Sequence, residues 1–318
     1  MAKPLYLIDA SIYIFQAYFS PYMQVRGEDG RDLSALMGYA QFLQRLLRQA
    51  QPEHIAVAFD ESLFCGFRHT LYPDYKSNRV LPEPDLERQL QACAQLTQAM
   101  GVAGFGSRMY EADDIIGTLA FRYRAQAPAG SSVCIVSRDK DLAQLLRHEL
   151  DHVWDFQASR RRYAPDIVSQ YGIRPEQFPD YLGLVGDAVD CIPGVPGIGP
   201  VAACALLQHF RTLPLLYENL DEVEQLQFRG ARRAAGLLRE HQEQAMLSRE
   251  LATIVVDKVH PEETFTCCPV QDLRWQLPQP TQVEAVLSGL QLDSISLQRY
   301  LTLLDSLHPQ HSSEGARS

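Results

Sequence analysis

The first 165 residues alternate short apolar runs with longer amphipathic segments. The apolar runs span residues 4–9, 54–60 and 132–137. They are rich in aliphatic and β-branched residues and bounded by polar ones, which is typical of buried parallel strands. Segments with helical spacing of apolar residues span 33–50, 83–101 and 111–127. Strands that alternate with helices on this scale predict an α/β domain, residues 1–165, with a mainly parallel central sheet flanked by helices.

The pattern changes after residue 165. Residues 166–260 read as short helices joined by tight turns, and strand-like apolar residues return only near 251–259. We therefore predict a mainly helical second domain, residues 166–260, with one late strand, followed by a C-terminal extension, residues 261–318. The last ten or so residues are polar, which favours disorder.

Composition narrows the class of protein. The chain has 318 residues and 46% hydrophobic residues, enough for two domains. No signal peptide and no apolar run of about 18 residues is present, which predicts a soluble, cytoplasmic protein without membrane contact. The seven cysteines form no CxxC pair and no zinc spacing, so we interpret them as reduced packing residues, with Cys267 and Cys268 on a strand.

Acidic residues follow the predicted strands. Asp9 ends the first strand, Asp60 ends the second, and Asp139 and Asp141 follow the third. The carboxyl ends of parallel strands meet at one edge of a sheet, where ligand sites form. These four carboxylates are therefore predicted to lie on one rim.

Two further acidic groups are ambiguous when taken alone. Glu111, Asp113 and Asp114 open a predicted helix, where acids also serve as caps that complement the helix dipole. Asp187 and Asp190, three residues apart, would share a helix face and could be a cap or solvated surface.

Together with the rim, these residues make a set of nine carboxylates, which accounts for most of the net charge of −10. No comparable run of Lys and Arg stands at these positions, and unpaired like charges resist ionisation. Divalent cations are the expected partners, and oxygen-only ligands favour Mg²⁺ or Mn²⁺. Two such ions about 4 Å apart can hydrolyse a phosphodiester. The nine are Asp9, Asp60, Glu111, Asp113, Asp114, Asp139, Asp141, Asp187 and Asp190.

The stretch LYPDYKSNR, residues 71–79, supplies basic groups. It could be an ordinary solvated face. Beside a carboxylate cluster, Lys76 and Arg79 could instead hold the scissile phosphate, and Tyr75 could stack a terminal base. Arg31 and Arg68 are weaker candidates for strand contact.

The stretch IPGVPGIGPVAACALL, residues 192–207, indicates a helix-hairpin-helix, although a Pro/Gly turn alone is only a turn. Its glycines allow a phosphate backbone to approach, and the following helix offers free N–H groups. A hairpin of this kind grips duplex DNA without reading sequence. Arg229, Arg232 and Arg233 either extend this surface or form a solvated face. The predicted DNA contacts are Gly194, Gly197, Ile198, Gly199, Pro200, Val201 and Ala202.

Six motifs carry a family resemblance. In chain order they are LIDAS, AFD, YPDYKSNR, EADDIIGTLA, SRDKDLAQL and GDAVDCIPGVPGIG. In this order and spacing they resemble the 5′-nuclease (flap endonuclease) family, above all the 5′-3′ exonuclease domain of bacterial DNA polymerase I and stand-alone bacterial 5′-3′ exonucleases. The likeness covers roughly residues 4–260. A chain of 318 residues leaves no room for a polymerase domain, so we expect the free-standing form.

The resemblance implies a PIN-like fold and specific roles. All nine carboxylates match the family's ligands for two or more Mg²⁺ ions, for which Mn²⁺ can substitute. Lys76 and Arg79 match residues of the arch under which the 5′ end passes. The family's hairpin also binds K⁺ through main-chain carbonyls, which here correspond to Leu184, Val185, Pro193, Val195 and Ile198.

Four positions depart from the family pattern, and none is a ligand. Gln16 replaces a frequent Arg, Arg138 a usual Gly, Cys191 a usual Asn and Ala10 a common Gly. We expect altered rate or substrate preference without loss of chemistry.

The sequence thus predicts a structure-specific 5′-3′ exonuclease or flap endonuclease that acts in replication and repair. Its partners would be 5′-flap, nicked or branched DNA, with RNA–DNA hybrids as further substrates, and it would act as a monomer in the cytoplasm, with the nucleoid. Three alternatives stay open: a PIN-type ribonuclease, a non-catalytic or weakly active junction-binding protein, and a haloacid-dehalogenase-like phosphatase. The last would need a second Asp in LIDAS.

Overall fold

A computed structural model of the chain describes residues 3–128 and 130–307. Within them, six strands form one sheet: β1 Leu5–Asp9, β2 His54–Asp60, β3 Ala103–Ser107, β4 Val133–Val136, β5 His152–Asp155 and β6 Arg160–Tyr163. The strand order is β3-β2-β1-β4-β5-β6. β4 pairs in parallel with β1 and with β5, and the edge strand β6 pairs antiparallel with β5. The predicted mainly parallel sheet is confirmed.

Helices flank the sheet, and after β6 all the regular elements of the described chain are helices. The α-helices are α1 Ala10–Tyr18, α2 Ser34–Ala50, α3 Phe67–Leu71, α4 Pro84–Ala99, α5 Ala112–Gln126, α6 Ala164–Tyr171, α7 Phe178–Val185, α8 Pro200–Phe210, α9 Leu213–Glu218, α10 Ala231–Glu240, α11 Gln242–Ala252, α12 Pro280–Gly289 and α13 Ser294–Leu304. Short 3₁₀ helices span Asp141–Leu145, Pro175–Gln177, Leu220–Gln225, Thr264–Thr266, Val270–Leu273 and Asp305–Leu307.

The three predicted strands and three predicted helices are confirmed as β1, β2, β4, α2, α4 and α5. Leu5, Leu7 and Ile8 of β1 are fully buried, as are all residues of β4. Burial on both faces explains why these strands are continuous apolar runs. The sequence analysis missed β3, which contains two glycines, and β6, which contains three arginines and forms the sheet edge.

The strand predicted near residues 251–259 is wrong. α11 continues to Ala252, and the backbone that follows pairs with side chains instead of a strand. The N–H of Ile254 donates to Oε1 of Gln144 at 3.0 Å, and the N–H of Val255 donates to Oδ1 of Asp114 at 2.9 Å. Buried backbone groups need partners, and here polar side chains supply them.

The described chain forms two compact units. The first contains β1 to Asp9, Ala58–Leu81 and Phe105–Cys268, and the second contains Ala10–Val57, Pro82–Gly104 and the chain from Pro269 onward. In the second unit, α2 packs on α1 and α4, and α4 packs on α12. In the first, α7 packs on α8 and α11. The three-part division at residues 165 and 260 stays a prediction.

The predictions for the cysteine pair, for membrane-spanning helices and for the C-terminal residues have different outcomes. Cys267 and Cys268 follow the short helix Thr264–Thr266, so their placement on a strand is wrong. No helix among the described residues could span a membrane. The predicted disorder of the last ten or so residues concerns positions outside the described ranges.

Replacing Gly117 by Ala should destabilise the fold. A Cβ at Gly117 in α5 would lie 2.6 Å from Cγ2 of Ile254 and 3.0 Å from Cγ1 of Val256. We expect the free energy of unfolding, measured by urea denaturation, to fall by about 1–3 kcal/mol through overpacking. Gly236, exposed in α10 with no atom near the added Cβ, is the matched control. Gly236→Ala should add about 0.5–1 kcal/mol through helix propensity, and two changes of the same sign would contradict this packing.

Candidate active site

The strand ends and the start of α5 bring acidic residues into one compact unit. Asp9 is the last residue of β1, Asp60 the last of β2, and Asp139 follows β4. Glu111 caps α5, and Asp113 lies in its first turn. The positions predicted from the strand ends are those observed.

Nearby like charges raise the pKa of Asp113, in the first turn of α5, and of Asp141, which follows β4. Burial raises the pKa of Asp113 well above its usual range, and the nearby Asp139 and Asp9 raise it further. Burial and Asp139 likewise raise the pKa of Asp141 to about 7. Oγ of Ser137 donates to Oδ2 of Asp9 at 3.1 Å. The neutral form of an acid is favoured where carboxylates crowd together.

Basic side chains neutralise several of the other carboxylates, so the expectation that they have no Lys or Arg partners is wrong. Lys76 Nζ lies 2.7 Å from Glu111 Oε1, and Arg79 Nη2 lies 2.8 Å from Asp190 Oδ1. Two further pairs join Lys140 to Asp187 at 2.5 Å and Arg68 to Asp114 at 2.6 Å. In all four pairs the cation and the carboxylate come from segments that are distant in the sequence.

Glu111 is the carboxylate most strongly held as an anion. Burial alone would raise its pKa, but Lys76 and Arg68 outweigh burial and lower the pKa to about 2. The hydroxyl of Tyr75 also donates to Oε2 of Glu111 at 3.0 Å. Tyr75 is only 3% exposed, so its ring is not offered to a base. The predicted stacking by Tyr75 does not fit this conformation, in which the residue is a hydrogen-bond donor to Glu111.

Asp114 differs from the other acids in having all its acceptor positions used by protein donors. Its fully buried carboxylate receives two bonds from the Arg68 guanidinium, at 2.6 and 2.9 Å. The N–H groups of Glu111 and Val255 donate to it at 3.1 and 2.9 Å. This geometry favours a structural role for Asp114, and its predicted role as a metal ligand is untested.

Asp187 and Asp190 lie on a turn, so the predicted shared helix face is wrong. Gly186, with φ of +73°, ends α7, and the backbones of Asp187 and Ile192 exchange two hydrogen bonds of 2.8 Å. Oδ1 of Asp187 accepts from the N–H of Val189 at 2.9 Å. A closed turn therefore sets the spacing of the two carboxylates.

The hairpin after this turn is held by α11. Gly194 has φ of +62°, and a Cβ there would lie 2.2 Å from the backbone N of Gly186. Its N–H donates to Oγ of Ser248 at 3.0 Å, and its carbonyl accepts from Nε2 of Gln244 at 2.7 Å. Because Gly194 is buried and both its backbone groups are used, it does not fit the predicted direct contact with DNA.

The other predicted DNA contacts divide by exposure. Gly197, Gly199, Pro200 and Val201 are exposed at the start of α8, Ala202 is half-buried, and Ile198 is buried. Arg233 Nη2 would lie 3.9 Å from a Cβ on Gly197. The roles predicted for Arg229 and Arg232 stay predictions.

The carbonyls predicted to bind K⁺ belong to the same segment. The carbonyl of Leu184 accepts from the N–H of Val195 at 2.8 Å, and the carbonyl of Val195 accepts from the N–H of Ile198 at 3.0 Å. A carbonyl has two lone pairs, so these bonds leave room for a cation. The carbonyls of Val185 and Pro193 stay a prediction with the rest of the set.

A divalent ion fits the site by donor chemistry. Among residues 3–128 and 130–307, no group of three or more His, Cys, Asp or Glu side chains is arranged so that it could hold a metal ion. Oxygen donors are nevertheless present. The buried Oδ1 of Asp141 has no hydrogen-bond partner in the described chain and lies 3.6 Å from Nζ of Lys140. Crowded carboxylates with an unsatisfied oxygen are a chemically suitable environment for Mg²⁺ or Mn²⁺. The nine-ligand set stays a prediction.

Sequence reasoning missed several residues that position the acids. Ser62 donates through Oγ to Oδ1 of Asp60 at 2.8 Å, and Ser137 and Lys140 contact Asp9 and Asp187. Ser62 lies two residues after Asp60, a spacing typical of local side-chain capping. Lys140 lies between two predicted ligands in SRDKD, so its position was a usable signal.

The four positions that depart from the family pattern, and Arg31 as a weaker candidate for strand contact, lie in different parts of the chain. Arg138 pairs with Asp155 at 3.5 Å, and Cys191 has φ of +57°. Ala10 begins α1 in the second unit, where Gln16 Oε1 is buried without a partner among the described residues. Arg31, also in the second unit, pairs with Asp29 at 3.6 Å.

Two family profiles match successive parts of the chain. Residues 4–172 match the 5′-3′ exonuclease N-terminal resolvase-like domain, and residues 173–277 match the 5′-3′ exonuclease C-terminal SAM fold. The predicted α/β fold followed by a helical domain is confirmed.

Curated relatives include both stand-alone and longer proteins. A 5′-3′ exonuclease of Buchnera aphidicola (subsp. Schizaphis graminum) is 34% identical over 80% of this chain and 87% of its own length. Flap endonuclease Xni of Cronobacter sakazakii is 39% identical over 68% and 82%. DNA polymerase I of Rhizobium leguminosarum is 36% identical over 80% of this chain, which spans only 24% of the polymerase.

Solved structures share the fold at lower identity. T5 5′-exonuclease with bound divalent metal ions (zinc) is 19% identical, with a TM-score of 0.61, over 96% of this chain and 99% of that one. The catalytic core of Rad2 in complex with DNA substrate is 15% identical, with a TM-score of 0.61, over 97% and 93%.

Replacing Arg68 by Met should destabilise the protein far more than the same change at Arg79. The Arg68 side chain is 4% exposed and its loss leaves a buried anion at Asp114, whereas the Arg79 side chain is 43% exposed. We expect Arg68→Met to lower the free energy of unfolding by about 3–5 kcal/mol. Arg79→Met, the control, should cost less than about 1 kcal/mol. Equal losses in urea denaturation would show that burial does not separate the two pairs.

Proposed function

Because the chain belongs to the 5′-3′ exonuclease family, we propose that it is a metal-dependent nuclease that hydrolyses DNA phosphodiesters at 5′ ends or flaps. The observation that carries this proposal is the crowding of Asp113 with Asp139 and Asp9 at the strand ends. Such an arrangement is costly for a structural site, and strongly perturbed acids mark functional sites. Family membership identifies the chemistry that these acids serve.

We propose Mg²⁺ as the cofactor, with two or more ions and Mn²⁺ as a substitute. Asp9, Asp113, Asp139 and Asp141 would be the first ligands, since their mutual repulsion would be relieved by a cation. Bound divalent ions would supply an activated water and neutralise charge on the leaving oxygen. The acids already paired with Lys or Arg would complete the ligand set by exchanging those partners.

Lys76 and Arg79 would stabilise the phosphate. Lys76 is buried beside Glu111, and Arg79 is partly exposed on Asp190, so both place positive charge at the acid cluster. Burial alone would lower the pKa of Lys76, but Glu111 leads the charges that raise it well above its usual range. The ammonium group therefore stays charged and can hold the scissile phosphate oxygen as negative charge develops.

The hairpin would grip the duplex through its backbone. Exposed Gly197, Gly199 and Pro200 precede or begin α8, whose N-terminal end carries the positive part of the helix dipole. Arg233 beside Gly197 would add a phosphate contact. We include in the proposal a K⁺ ion held by the nearby main-chain carbonyls, which would add positive charge at the same surface.

Family membership supports the finer points of the proposal. The substrates would be 5′-flap, nicked or branched duplexes, with RNA–DNA hybrids as further substrates, in replication and repair. We propose that the protein acts as a monomer in the cytoplasm, with the nucleoid.

Replacing Asp113 by Asn should abolish most cleavage without weakening the fold. The change removes a proposed ligand and relieves repulsion from Asp139 and Asp9. We expect Mg²⁺-dependent cleavage of a labelled 5′-flap duplex to fall at least about 100-fold, because a metal contributes several kcal/mol to the transition state. The melting temperature should stay equal or rise.

The control is Asp221→Asn, since the Asp221 side chain is fully exposed and far in sequence from the acids. It should cleave like the wild type. If wild-type protein binds the flap duplex but leaves it uncut across Mg²⁺ and Mn²⁺ titrations, the junction-binding alternative replaces the nuclease. If it cuts only RNA, the ribonuclease alternative does.

Placing a negative charge at the start of α8 should weaken DNA binding. Val201 is 81% exposed in the first turn of α8, so Val201→Glu should repel the phosphates and lower duplex affinity about 10-fold at low salt. Val168→Glu, at a 44% exposed position in α6, is the matched control and should bind like the wild type. Fluorescence anisotropy at several salt concentrations would measure both. An equal loss in both variants would mean that net charge, and not the hairpin, is responsible.

A further inference from the structure

The segment that carries the two proposed phosphate-binding cations is docked on the turn that carries Asp190. We call residues 76–79 the basic loop and residues 187–192 the aspartate turn. The backbone N–H of Lys76 donates to the carbonyl of Asp190 at 3.1 Å. The Arg79 guanidinium lies 2.8 Å from the Asp190 carboxylate. Both halves of Asp190, backbone and side chain, therefore bind the basic loop.

Asn78 adds a neutral contact between the same two segments. Its side-chain Nδ2 donates to the carbonyl of Val189 at 3.1 Å. Beside it, Oγ of Ser77 lies 3.8 Å from Sγ of Cys191. Asn78 is exposed and Val189 is 65% exposed, so this bond contributes little to a hydrophobic core. Its effect is to fix the position of one surface segment on another.

Backbone strain is present on both sides of this contact. Lys76 has φ of +51° and Cys191 has φ of +57°, in the left-handed region that costs energy for residues other than glycine. Strained residues persist only where surrounding contacts hold them. Lys76 bonds to Asp190, the neighbour of Cys191, so the two strained residues meet across the contact between loop and turn.

We propose that Asn78 is a positioning residue, which holds the basic loop on the aspartate turn and so places Lys76 and Arg79 beside the acids. This inference rests on the proposed nuclease function. Lys76 Nζ lies 2.7 Å from Glu111 and 3.9 Å from Asp190, distances that depend on where the loop sits. Release of the Asn78 bond frees one side of the loop, and the ammonium and guanidinium groups move away from the scissile phosphate.

The test compares Asn78→Ala with Asn219→Ala in the full chain. Asn219 also makes an exposed bond, from Nδ2 to the carbonyl of Leu215 at 2.8 Å, but this bond lies within one segment and joins no two segments. Limited trypsin digestion reports loop release, because trypsin cuts after Lys76 and Arg79. We expect the initial rate of cutting at these two bonds to rise about 5-fold in Asn78→Ala, because the loss of one hydrogen bond raises the population of the released loop by about that factor. Asn219→Ala should leave it unchanged.

Cleavage kinetics on a 5′-flap duplex separate positioning from binding. For Asn78→Ala we expect kcat to fall about 3- to 10-fold through misplacement of the cations, while KM stays constant. Asn78→Gln retains the amide donor and should recover part of kcat. The melting temperature of all three variants should match the wild type.

Two results would overturn the inference. If Asn78→Ala matches Asn219→Ala in both assays, the bond does not hold the loop. If KM rises while kcat is constant, Asn78 binds DNA directly. Should the wild type cleave no DNA, the proposed function fails, and the trypsin comparison still decides whether Asn78 holds the loop.

Discussion

Carboxylates can share the edge of this sheet only because other charges limit their repulsion. The positive charges compensate some carboxylates more than others. Lys76 and Arg68 hold the pKa of Glu111 at about 2 against the effect of burial, whereas burial and Asp139 raise that of Asp141 to about 7. Glu111 is thereby anchored as an anion, and the crowded acids favour an added cation. This gradient of charge across one site is the feature that the proposed chemistry would use.

A second constraint connects the hairpin to the acids. α11 holds Gly194 through Ser248, and the chain leaving α11 is fixed by Arg68, which donates to the carbonyls of Leu251 and Thr253 at 2.8 Å. Arg68 in turn pairs with Asp114 in the first turn of α5. The proposed duplex grip and the proposed catalytic acids are therefore joined through one helix and one buried ion pair, so a change at Arg68 affects both.

The sequence predicts what depends on local pattern and misses what depends on distant partners. β1 and β4 were predictable because both are largely buried and consist almost entirely of apolar residues, Asp9 at the end of β1 being the exception. β6, with three arginines, has no such pattern, since an edge strand tolerates charge. The salt bridges of Glu111 could not be predicted, because spacing along the chain does not show which cation a fold will bring to an acid 35 residues away.

The same limit explains why Asp187 and Asp190 were predicted on a helix face although they lie on a turn. A separation of three residues fits both a helix face and a closed turn, and the choice depends on Gly186, which ends α7 with a positive φ.

The motif EADDIIGTLA also groups two acids whose surroundings in the fold differ. Asp113 and Asp114 are adjacent in the sequence and match one family pattern, yet their surroundings are opposite. Asp114 receives four hydrogen bonds, two of them from Arg68, so an ion would have to displace protein donors. Asp113 faces other carboxylates, so an ion would relieve repulsion. Within the proposed ligand set, Asp113 is therefore the position that favours a cation, and Asp114 is the position at which a cation would displace protein hydrogen bonds.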